Sequence, residues 1–165
     1  MPLPAALKAL IAAATDSGDP PGQLPPRLRA PLHGLQQLLL LAARLYVAKA
    51  FFWSGLTKLR DWEITLALFH DEYQVPLLPP TVAAWAATAG ELLLPALLAL
   101  GLLGRFAAAG LFVLNAVAVL SLTEIAPAAL LLHQLWGALL LLVGIWGPGA
   151  ISLDRWLFNR SAGTR

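Results

Sequence analysis

The chain has no cysteine, a single methionine, and only 11 basic and 9 acidic side chains among 165 residues. Without cysteine it cannot run thiol–disulfide exchange or hold an iron–sulfur cluster through thiolates, so any electron carrier has to be borrowed. The phosphate-cradling GxxxxGK[ST], dinucleotide-binding GxGxxG, zinc-binding HExxH and nucleophile-elbow GxSxG patterns are missing as well. No catalytic residue is therefore assigned. The charged fraction is 12%, about half that of soluble domains. A soluble globule is excluded, and no basic array with interleaved aromatics points to nucleic acid.

What the chain has instead is hydrocarbon. Hydrophobic residues make up 59% of it and the mean hydropathy is +0.73. Four apolar stretches, Leu35 to Leu59, Thr81 to Gly101, Arg105 to Leu122 and Pro127 to Trp146, approach or exceed the roughly 20 helical residues that cross a bilayer core. They run in Leu and Ala without period-2 alternation, which predicts helices rather than a barrel. The fold class expected is all-α: a polytopic four-transmembrane-helix bundle in contact with the lipid bilayer. The domain plan is a tail and Pro-rich linker over 1–31, the bundle over 32–149 and a C-terminal tail over 150–165. Leu3, Leu7, Leu10 and Ile11 share a face that suits either a surface helix or a disordered tail. Between the first two spans, Trp62, Leu66, Phe69 and Tyr73 recur at three- and four-residue spacing, predicting an amphipathic helix on the periplasmic surface. The basic residues gather with the termini and the second connection (Lys8, Arg27, Arg29, Arg105, Arg155, Arg160, Arg165). The positive-inside rule then puts both termini in the cytoplasm.

Polar residues inside the spans carry the functional signal, because a charge in hydrocarbon costs roughly 3 kcal/mol or more and needs a partner, a cavity or a ligand. Arg44 and Lys49 lie near the middle of the first span, Glu91 of the second and Asn115 of the third, with His133 and Gln134 in the fourth. One intramembrane polar layer or ligand pocket is expected from these six. Arg44 and Lys49 are five residues apart, roughly 140° around a helix, so Glu91 can neutralise one of them. Arg44 is the better match for a carboxylate because its fork makes two parallel bonds. Lys49 is then left near His133, Gln134 or Asn115, and either loses its proton, reaches water or meets an acceptor from outside the chain, which would be the functional reading for it and His133. Against this stands the plain alternative that Arg44 and Glu91 merely fix helix register. His70, Asp71 and Glu72 point in different directions around a helix and suit a solvated face, so no metal site is expected. Haem is disfavoured because His133 has no second intramembrane histidine to pair with; His33 and His70 lie at or beyond the boundaries.

Taken together, the run Arg44 to Leu59 (RLYVAKAFFWSGLTKL), the Gly90-Glu91 pair, GLLGR at Gly101 to Arg105 and GPGAISLD at Gly147 to Asp154 resemble the DoxX family of small bacterial membrane proteins. The resemblance runs from Arg44 to Asp154. It implies a four-helix protein of the bacterial inner membrane, with Arg44, Ser54, Gly55, Lys58 and Glu91 matching the family's polar signature. It further implies association with membrane redox or stress-response systems, through a soluble or membrane oxidoreductase partner. A quinone is the candidate ligand for the polar pocket. Two other expectations stand beside it: a small transporter for an anion or metal-stress product, using Arg44 and Lys49 as its anion site, and a ligand-free assembly scaffold. Small residues at Ala107, Ala108, Ala109 and Gly110 suit a homo-oligomer or close packing within the chain equally well.

Overall fold

A computed structural model describes residues 26–158; the expectations for the N-terminal Leu3 to Ile11 face lie outside them. Six helices follow in order: α1 Pro26–Arg60, α2 Trp62–Asp71, α3 Pro80–Leu100, α4 Gly104–Ser121, α5 Pro127–Trp146 and α6 Leu153–Phe158. Four of them, α1, α3, α4 and α5, are long and apolar enough to cross a membrane. The last three agree with the expected spans to within a residue at each end. The first starts at Pro26 rather than Leu35, inside the stretch expected to be an extended linker. Pro26 occupies the first turn, where its missing N–H has no helical partner to lose. Pro31 then deletes one bond of the ladder without ending the helix.

The spans run up and down, α1 packing on α3, α3 on α4, α4 on α5, and α5 back on α1. Their apolar centre is built from Leu40, Val47, Phe51, Leu98, Leu111, Leu140 and Val143. Of the small residues of α4, Ala107 and Ala108 are buried, a Cβ on Gly110 would come within 2.9 Å of Leu94 on α3, and Ala109 is exposed. The early part of α1 near Gln37, the α3–α4 turn, the exit from α5 and α6 share one end of the bundle, and α2 lies at the opposite end.

The amphipathic helix expected between the first spans is α2. Its start is set by Asp61, whose backbone is extended and whose side-chain Oδ1 accepts the Ile64 N–H at 3.0 Å. Thr65 pins the corner, its hydroxyl reaching both the Lys58 carbonyl (3.0 Å) and the Asp61 carbonyl (2.9 Å). The apolar face of α2 rests on α3 through Phe69, Ala83 and Ala84, with Trp62 and Tyr73 against them. The chain after α2 is strapped to the end of α4, Gln74 donating its N–H to the Ser121 carbonyl at 2.8 Å.

Candidate functional site

The structure divides the expected polar layer into three separate clusters. At the α6 end of the bundle, Arg44 is 1% exposed. Its Nε donates to the Leu98 carbonyl (2.9 Å) and Nη2 to that of Ala99 (2.8 Å). Nη1 donates to the carbonyls of Pro148 and Ile151. A planar fork with five N–H donors can serve carbonyls from two chain segments at once. Gly101 makes room for it: φ is +67° there, and a Cβ would fall 2.7 Å from Arg44 Nη2. The expected pairing of Arg44 with Glu91 is therefore corrected. The guanidinium saturates helix-end carbonyls, and the carboxylate acting on it, through space, is that of Asp154.

Asp154 was not singled out by sequence, yet it is fully buried. Its two oxygens accept the backbone N–H groups of Leu103 (2.9 Å) and Gly104 (3.0 Å), so a residue of α6 caps the N-terminus of α4. It also holds Leu103 in a left-handed conformation (φ +49°) that a leucine rarely adopts. Gln37 adds a further tie, its Oε1 accepting the Ala150 N–H. Residues 150–158, expected as a tail, are thus folded onto the bundle. Replacing Asp154 by Ala removes the cap and the restraint on Leu103 together, a loss of about 2 kcal/mol. Thermal unfolding of the purified protein is expected to fall by about 5 °C; an unchanged midpoint would show that the cap is dispensable.

The second cluster joins α4 to α5. Asn115 Nδ2 donates to the His133 carbonyl at 2.9 Å, and its Oδ1 faces His133 Nδ1 at 2.8 Å. A carbonyl only accepts, so the amide orientation is fixed and the neutral imidazole carries its proton on Nδ1. The ring stands edge-on to Trp136, centroids 5.0 Å apart. Asn115 and His133 therefore clamp two helices. Gln134 and Lys49 belong to neither cluster, both being exposed. With Arg44 engaged by backbone and Lys49 on the outer surface, the expected Arg44–Lys49 anion site is not assembled.

The third cluster is the one with space beside it. Lys58 Nζ meets Glu91 Oε2 at 2.6 Å and donates to Ser54 Oγ at 3.0 Å. Helical side chains lean toward the N-terminus of their own helix, which brings the Lys58 ammonium back one turn from the helix end to Ser54. Gly55 lets α3 approach here, since a Cβ would lie 3.1 Å from the Cβ of Glu91. Ser54, Gly55, Lys58 and Glu91 thus come together, while Arg44 stands with the cluster at the α6 end. The pair borders a cavity of about 200 Å³ between α2, α3 and α4, walled by Phe69, Val75, Ala87, Leu114 and Val117 and reached by Tyr73.

Tyr73 was read from sequence as part of an apolar face; its phenol is the further polar group of this cavity. Burial, and then the charges of Glu72 and Glu91, push its pKa up, so at neutral pH it is a protonated hydrogen-bond donor. The cavity offers Lys58 and Tyr73 as donors and one carboxylate in a greasy wall, the Ser121 hydroxyl being turned to the Val117 carbonyl. Lys49, Asn115, His133 and Gln134 do not line it.

No curated protein and no solved structure matches the chain. A family model, DoxX, matches residues 39–124, more than half of the chain, with Ser54, Gly55, Lys58 and Glu91 inside the match. Four membrane-crossing helices and this matched region agree, and the chain is a membrane protein belonging to the DoxX family.

Proposed function

We propose that the protein is the membrane subunit of a redox or stress-response system, and that the Lys58–Glu91 cavity receives a quinone headgroup from the bilayer. The observation that carries this reading is a charged pair on the wall of a small, otherwise apolar cavity. A cavity of about 150 Å³ holds a benzene ring, so this one has room for a single-ring headgroup. Lys58 and Tyr73 supply donors for carbonyl oxygens. Glu91 supplies a site where a proton can rest as a quinone takes up two electrons and two protons. The electrons come from a partner oxidoreductase. The same reading places the protein in the bacterial inner membrane with both termini cytoplasmic, supported by Arg105 and Arg155 at the α6 end.

The test is mass spectrometry of small molecules co-purifying with the protein in native-lipid discs. Wild type is expected to retain quinone. Tyr73→Phe, losing one hydrogen bond of about 1 kcal/mol, is expected to retain about fivefold less. The paired variant Lys58→Met with Glu91→Met, which leaves no charge unpaired, is expected to retain almost none. Absence of quinone from the wild type, or equal amounts in all three, would sink the proposal and leave a scaffold without a ligand.

A further inference from the structure

Lys49 is exposed and makes no hydrogen bond or ion pair with any described residue. Its depth can be read from its own helix. Gln37 binds the Ala150 N–H and Leu40 approaches Gly149, so the exit from α5 lies level with residues 37–40 of α1. Lys49 is then about 14–18 Å inward of that end at 1.5 Å per residue, and about 16 Å from Arg60 at the other. It sits midway across the bundle, and its four-carbon stem spans less than half the distance to either end. Lipid tails are no place for an ammonium.

The residues around Lys49 form a pattern. Leu38, Ala42, Leu45, Lys49, Phe52 and Leu56 alternate steps of four and three along α1, and all are exposed save the half-buried Leu56. That is a heptad seam turned away from the bundle, with one polar residue among its apolar positions. Such a seam seats a second helix in left-handed packing, and a lone lysine in it sets register and partner choice.

We propose that this face of α1 docks a transmembrane helix of a different membrane protein, one that presents an Asp or Glu opposite Lys49. A second copy of this chain does not fit. Its one carboxylate inside a span, Glu91, is buried against Lys58, and a symmetric pairing through the seam would bring lysine to lysine. The inference stands apart from the quinone cavity, which Lys49 does not line.

The experiment uses the full-length labelled protein in phosphatidylcholine vesicles, with synthetic Leu/Ala transmembrane peptides carrying a central Glu, Gln or Lys. Association is read by energy transfer. The Glu peptide is expected to bind about five- to thirtyfold more tightly than the Gln peptide. Lys49→Met is expected to erase that preference, and Lys49→Glu to hand it to the Lys peptide. Because Lys49 touches nothing inside the bundle, both variants are expected to keep wild-type helix content by circular dichroism. Equal binding of the Glu and Gln peptides to wild type, or a preference that survives Lys49→Met, would overturn the proposal. So would energy transfer between two labelled copies of the protein that depends on Lys49, which would make the partner a second copy.

Discussion

Arg44→Met is expected to be the most damaging single substitution in the bundle, lowering stability by about 4 kcal/mol or more and the unfolding temperature by roughly 10 °C. Four backbone carbonyls, of Leu98, Ala99, Pro148 and Ile151, take their bonds from this guanidinium. Those of Leu98 and Ala99 stand at the end of α3, where the ladder runs out of donors, and those of Pro148 and Ile151 in the link from α5 to α6. Methionine fills much of the volume and makes none of the bonds. The Leu98 carbonyl keeps the Gly101 N–H, while the others lose their partner, at about 1–3 kcal/mol for a carbonyl that is buried. Arg44→Lys is expected to recover only part of the loss, because one ammonium cannot reach both chain segments. Thermal unfolding in detergent, followed by size-exclusion chromatography, checks both. If the lysine variant matches wild type, charge alone suffices and the fork geometry is irrelevant.

The second large effect lies at Lys58 and Glu91, and its signature is non-additivity. The side chains are 19% and 12% exposed, so removing either partner strands the other in a largely apolar wall. Lys58→Met and Glu91→Met are each expected to cost about 3 kcal/mol. The double substitution trades an ion pair for two apolar side chains of similar volume and is expected to cost less than either single change. The coupling from a double-mutant cycle is then about 3 kcal/mol or more. Simple addition of the two losses would mean that the pair does not act as a unit.

The spans were legible because length and unbroken hydrophobicity are one-dimensional quantities. Helix α2 was legible for a similar reason: the spacing of Trp62, Leu66, Phe69 and Tyr73 is a local property. The polar pairing was not. Depth taken from the midpoint of the first apolar run put Arg44 mid-membrane, whereas α1 runs 35 residues and the bundle begins well inside it. Lys58 lies in the last turn of α1, with its Cα near the helix end. Its ammonium belongs a turn lower, because the stem folds back toward Ser54. The carboxylate of Asp154 was passed over as part of a tail, and nothing local shows that six residues of α6 return to cap α4. The one sequence signal that held these pieces was the resemblance itself. GLLGR holds Gly101, which makes room for Arg44, and the two N–H groups that Asp154 caps; GPGAISLD holds two of the carbonyls that Arg44 binds and Asp154 itself, and SGLTK with Gly90-Glu91 builds the ion pair.

The separation between Arg44 and its partners also orders the protein's biogenesis. Arg44 and the Ile151 carbonyl that it binds are 107 residues apart. At about 5–20 residues per second of synthesis, the first span waits roughly 5–20 s before its last partner is made. During that interval the guanidinium has no carbonyls from the C-terminal segment, and α1 is best served by staying near the headgroups or the insertion machinery. The clasp around Arg44 consequently cannot fasten until all four spans have been synthesised.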